Sequence, residues 1–385
     1  MSQTRFTARR AEFHQQAIDS CGWDDFGDNE YLVALEQYTR SLDRGARLSV
    51  HGESMLARGI VGHLRGRLYS ERYKKLHPEY AAQEITRPLF IVGLPRSGTT
   101  ALHRILTADP QHQGLEYWLG QTPMPRPVRS LWPSLPEFAQ CRAGLAQYAR
   151  LAPQMMAIHE MAAEEADECR LRLLQSFANV TLQSNARVPE YEEWLYGADF
   201  APVYRRYRDN LRLIGLGNEA RWILKDPSHL WAPRALLQTF PDAGIVQTHR
   251  HPRELIPSVS SLVYNSRRMS EPALEKHEVG RQQLRQWARV LNNLAALRRD
   301  NPQLLVHDVW MDDLQRDPMA CIEGIYQRFA MPFDRHSRQA VRLWTEQRPA
   351  ARNPAHRYSA EEFGLDDATI DDAFEDYVAT FLPGR

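Results

Sequence analysis

The 385-residue chain balances 48 lysines plus arginines against 48 aspartates plus glutamates and is 43% hydrophobic. Even charge excludes a basic field for nucleic acid and an acidic disordered tail, and the apolar content suffices for one large α/β core with a helical appendage. The four cysteines, Cys21, Cys141, Cys169 and Cys321, lack C-x-x-C pairing and read as reduced thiols rather than a disulfide frame or a zinc site. With no apolar leader core and no run of membrane-spanning length, the expectation is a cytoplasmic chain without a transmembrane segment.

Residues 5 to 80 carry helical periodicity, with one stripe of Tyr31, Leu32, Leu35 and Tyr38 and another of Leu56, Ile60, Leu64 and Leu68. The turn from Gly22 to Asp28, holding Trp23 and Phe26, is expected to pack rather than to catalyse. A helical N-terminal segment, residues 1–85, is therefore expected against an α/β domain over 86–385. A homodimer through those helices is also expected.

The run Leu89 to Val92 reads as a buried parallel strand, and Ala101, Leu102, Ile105 and Leu106 follow at helical spacing after Gly93 and Gly98. Glycines at a strand-to-helix turn direct backbone N–H groups toward one point, and Ser97, Thr99 and Thr100 add hydroxyls, so the loop is an anion cradle. Its spacing is that of a nucleotide P-loop, but Thr99 stands where that loop has lysine, which argues against a nucleoside triphosphate. The loop's only cation is Arg96.

A proline-studded excursion follows from Pro123 to Pro136, within a largely helical and irregular insertion over 109–200. Helix is expected from about 137 to 185, with Glu160, Glu164, Glu165, Asp167 and Glu168 on a solvated face. The helix Tyr204 to Leu216 is expected to expose its arginines. Further strands are expected at 220–227, 243–248 and 304–306, alternating with helices.

The strand at Ile245 ends in Thr248-His249-Arg250-His251-Pro252, and Ser258 lies eight residues beyond Arg250, two turns into the next helix. A guanidinium at a strand's C-terminal edge and a hydroxyl at that separation suit one phosphate.

The segment Pro95-Arg96-Ser97-Gly98-Thr99-Thr100 resembles the 5'-phosphosulfate loop of sulfotransferases that use 3'-phosphoadenosine 5'-phosphosulfate (PAPS), in their bacterial P-loop-related branch. The resemblance covers most of residues 86–385. It implies a three-layer fold, a parallel sheet flanked by helices, and sulfuryl transfer to a hydroxyl of a small-molecule, glycan or lipid acceptor, with adenosine 3',5'-bisphosphate as product. Pro95 through Thr100 then hold the 5' end, Arg250 and Ser258 the 3'-phosphate, and His356 and Arg357, near Arg352, supply C-terminal contacts. Ala101 departs from the pattern, since many members carry a tryptophan there.

Transfer needs a base for the acceptor proton and cations for the leaving phosphate. Glu116 and His229 compete for the first role, and Lys225 with Arg96 fill the second. No metal is expected, because His159-Glu160 and His277-Glu278 lack the second histidine of H-E-x-x-H. Two other readings stay open: a P-loop kinase or NTPase, using Asp308 after Leu304-Leu305-Val306 for magnesium, and a non-catalytic anion-binding protein.

Overall fold

The computed structural model describes residues 6–153, 156, 160–347 and 358–383. The chain folds as two compact units. One comprises residues 1–85, 115–219 and 265–273, and the other residues 86–114, 220–264 and 274–385.

The first unit is helical. The helix Arg10–Cys21 stops at Gly22, whose φ of 72° is the left-handed region where glycine pays no Cβ penalty. The long helix Val50–Leu76 starts on Ser49, whose hydroxyl accepts from the Gly52 amide. Its expected stripe is buried at Leu56, Ile60, Leu64 and Leu68, whereas in the stripe of the helix Tyr31–Gly45 Leu32 is exposed. The turn before that helix packs as expected. Buried Arg67 donates to the carbonyls of Phe26, Asp28 and Gln175, and its guanidinium lies 3.9 Å from the Tyr31 ring centre.

Two helical expectations need correction. The helix Pro136–Leu151 ends because Ala152 precedes Pro153 and is forced out of the α region, to φ −135°. The acidic stretch from Glu160 to Glu168 is consequently not helical. It runs beside residues 115–118, with the Asp167 amide on the Leu115 carbonyl and the Tyr117 amide on the Glu165 carbonyl. In the helix Ala201–Ile214, Arg206 is buried rather than exposed, bonded to Glu71 at 2.8 Å and to Gln175.

The second unit is built on a parallel sheet of five strands in the order β2-β3-β1-β4-β5. Here β1 is Leu89–Val92, β2 His112–Gln113, β3 Arg221–Lys225, β4 Gly244–His249 and β5 Val306–Trp310. All four residues of β1 are buried, as a central parallel strand covered on both faces requires. On one face Leu89 and Ile91 pack with Leu102, Ile105 and Leu106 of the helix Thr99–Thr107. Phe90 points to the other face, against Phe240. The register pairs Ile91 with Lys225 and Val92 with Gln247, so β1, β3 and β4 all end at one edge.

Beside that edge a polar network closes on β5. Asp308 takes two hydrogen bonds from Arg298, at 2.7 and 2.8 Å, and pairs with His249 Nε2 at 2.8 Å. His249 Nδ1 meets the Tyr377 hydroxyl at 2.8 Å, and its ring lies between those of Trp310 and Phe381. Burial raises the Asp308 carboxyl, but the His249 and Arg298 hydrogen bonds outweigh it and hold the group well below the usual carboxylate range. A carboxylate with a depressed native pKa stabilises the fold above its unfolded value and loses that contribution as pH falls toward the native one. Asp308→Asn should therefore cost about 2–3 kcal/mol at pH 7. In urea titrations the gap to wild type should narrow progressively below about pH 4.

Candidate active site

The site is assembled from the C-terminal ends of β1, β3 and β4, all within the second unit. Brought together there is the loop from Gly93 to Thr100. A Cβ on Gly93, whose φ is 159°, would stand 2.0 Å from Thr248 Oγ1 and 3.1 Å from the Thr248 carbonyl oxygen. Glycine is thus required by the close packing of the Thr248 side chain on the loop, and Gly98, at φ 88°, is required by a left-handed turn beside Met311. Ser97 closes the loop, since its hydroxyl donates to the Leu94 carbonyl at 2.7 Å and lies 2.6 Å from Thr248 Oγ1. Thr248 was not among the expected site residues. Its signal was the strand end preceding Arg250, a position one residue beyond the β1–β4 pairing of Val92 with Gln247.

The helix Thr99–Thr107 begins on Gly98 without a side-chain cap, and the Leu102 amide donates to the Gly98 carbonyl at 3.1 Å. The amides of Thr99, Thr100 and Ala101 precede that bond and point toward the loop, with the positive end of the helix dipole behind them. Exposed Arg96 holds a left-handed φ of 75°, a strained value for a residue with a side chain.

Two cations from neighbouring strands converge on this loop. Lys225, buried at the end of β3, donates from Nζ to Thr100 Oγ1 at 3.2 Å. It supplies from the adjacent strand a charge that a P-loop lysine supplies from position 99. Arg250, just after β4, donates from Nη1 to the Arg96 carbonyl at 3.2 Å and from Nε and Nη2 to Glu254. Ser258 is buried in the helix Pro252–Arg268 that follows.

His229 lies in the turn Pro227–Leu230, which Asp226 caps by accepting from the Ser228 amide and hydroxyl. Its ring is buried edge-on against Phe90, with centroids 5.1 Å apart, on the sheet face opposite Leu89 and Ile91. Glu116 belongs to the first unit. It immediately precedes the helix Tyr117–Gln121, is fixed by backbone pairing with Ala166, and takes a hydrogen bond from Arg126 Nε at 3.1 Å. His356 and Arg357, like Arg352, lie outside the described residues. Asp308, the aspartate of the kinase reading, sits two strands from β1 with both carboxylate oxygens engaged by Arg298.

A glycine-bearing loop at the head of a parallel sheet, bonded by cations from both flanking strands, has the donors to hold an anionic group. A sulfotransferase-family model matches residues 88–335, and the chain belongs to the sulfotransferase family. The crystal structure of the sulfotransferase STF1 from Mycobacterium tuberculosis H37Rv is 37% identical, covers 97% of this chain and 100% of that one, and superposes with a TM-score of 0.88. STF9 from Mycobacterium avium, at 23% identity over 99% of this chain and 98% of its own, shares the fold with a TM-score of 0.88. The omega-hydroxy-beta-dihydromenaquinone-9 sulfotransferase Stf3 of Mycobacterium bovis is 24% identical over 196 residues, 49% of each chain. The chain thus spans about half the length of the curated relatives it matches.

The loop geometry predicts a specific sensitivity. Gly93→Ala should force β1 and β4 apart and destabilise the chain by about 2–3 kcal/mol. The check is a lower urea midpoint with an unchanged slope.

Proposed function

We propose that this sulfotransferase takes its sulfuryl group from 3'-phosphoadenosine 5'-phosphosulfate and passes it to an acceptor hydroxyl by direct in-line displacement. The observation that supports the reading is the hydrogen bond from Arg250 to the Arg96 carbonyl, which brings the guanidinium onto the loop after β1. One donor set, the loop amides with Lys225, suits a 5'-phosphosulfate, and another, Arg250 with Ser258, suits the 3'-phosphate.

When bound, the donor supplies an activated sulfuryl group on a good leaving phosphate. Pro95 through Thr100 would hold that end, with Arg96 and Lys225 countering charge as the bond from sulfur to the 5'-phosphate oxygen breaks. A base takes the acceptor's hydroxyl proton as the new sulfur–oxygen bond forms. Glu116 is the first candidate, oriented by Arg126, and His229 is the second. The acceptor is a hydroxyl of a small molecule, glycan or lipid, and the relative named for a hydroxylated menaquinone favours the lipid class. His356 and Arg357 are proposed as further nucleotide contacts. Among the described residues no helix is long and apolar enough to cross a membrane.

Calorimetric titration should show adenosine 3',5'-bisphosphate binding in preference to ATP with magnesium. Arg250→Ala should weaken the bisphosphate about 10- to 100-fold. A preference for ATP would overturn the donor assignment. For the base, sulfate-mass gain in host extract supplied with PAPS gives the readout. Glu116→Gln should slow turnover about 10²- to 10⁴-fold with His229→Gln much less affected. If both variants keep full activity, neither residue is the base.

A further inference from the structure

The side-on bidentate face of Arg250, Nε with Nη2, donates from both atoms to a single oxygen, Glu254 Oε2, at 3.1 and 2.6 Å. Nη1 donates to the Arg96 carbonyl. Glu254 stands in the first turn of the helix Pro252–Arg268, where a negative charge gains from the same dipole that would favour a phosphate. It therefore occupies, by charge and by position, the place of an anionic ligand of Arg250.

The neighbouring cation does not offset that carboxylate. Arg253 is turned to a different element, bonded to both oxygens of Asp371 and 3.5 Å from Asp367. Glu254 itself is more than half exposed, with 55% of its side chain accessible, so it can leave Arg250 by rotating into water.

We propose that Glu254 is a built-in competitor for the 3'-phosphate, a specificity-determining residue that limits how tightly the spent nucleotide is held. The inference rests on the proposed donor site. A 3'-phosphate gripping the Nε and Nη2 face must displace the carboxylate or lie beside it, and either way the nucleotide pays for the exchange. A ligand without that phosphate leaves the Arg250–Glu254 pair intact.

The test is titration of the full chain with adenosine 3',5'-bisphosphate and with adenosine 5'-monophosphate. Glu254→Gln should tighten the bisphosphate about fivefold and leave the monophosphate unchanged. In the Arg250→Ala background the same substitution should have no effect, because nothing remains to compete for. Unchanged or weaker bisphosphate binding in Glu254→Gln, or equal tightening of both nucleotides, overturns the inference while the donor site stands. A wild-type chain with no preference for the bisphosphate over the monophosphate overturns the donor reading, and this inference falls with it.

Discussion

The site depends on how closely two strand ends approach. Gly93 leaves β1 with no room for a side chain against Thr248, and Ser97 then ties the loop to the same threonine hydroxyl. That contact draws the loop against β4, and Arg250 follows Thr248 by two residues. The guanidinium therefore reaches the Arg96 carbonyl without a long side-chain excursion. Lys225 is set independently, by the β1–β3 register that pairs it with Ile91. Parallel strands ending together thus convert local sequence into a converging set of donors.

A second constraint fixes the outer side of this edge. His249 lies between aromatic rings and bonds to Tyr377 and Asp308, while Asp308 is clamped by Arg298, which also reaches Gln247 on β4. The buried polar groups named here have partners, as a low-dielectric interior demands. A carboxylate committed to a guanidinium and an imidazole serves to hold this edge of the sheet.

Much of this was legible because the second unit's sheet is written in short, fully apolar runs. Leu89 to Val92 is buried on both faces, and the strands at 221–225 and 244–249 lie close to where their apolar runs place them. The edge strand was harder. Leu304-Leu305-Val306 drew attention by composition, yet the paired residues are Val306–Trp310, an edge strand that is mostly half-buried and tolerates His307 and Asp308 on its two faces. The two-residue β2 has no periodicity to detect. In the first unit, Pro153 should have ended the long helix, and buried Arg206 shows that an arginine with a Glu71 partner does not mark an exposed face. At the site, glycines and hydroxyls marked the loop, but its tie to Thr248 is a contact that only tertiary structure creates.

The segmental make-up of the two units bears on how the polypeptide is manufactured. The helical unit draws its last piece from residues 265–273, where Glu271 accepts from the Arg47 and Arg187 amides and the Ser270 carbonyl accepts from Ser49. The helical unit therefore cannot finish assembling until residue 273 has been made. Cutting the chain anywhere between residues 86 and 264 would divide both units.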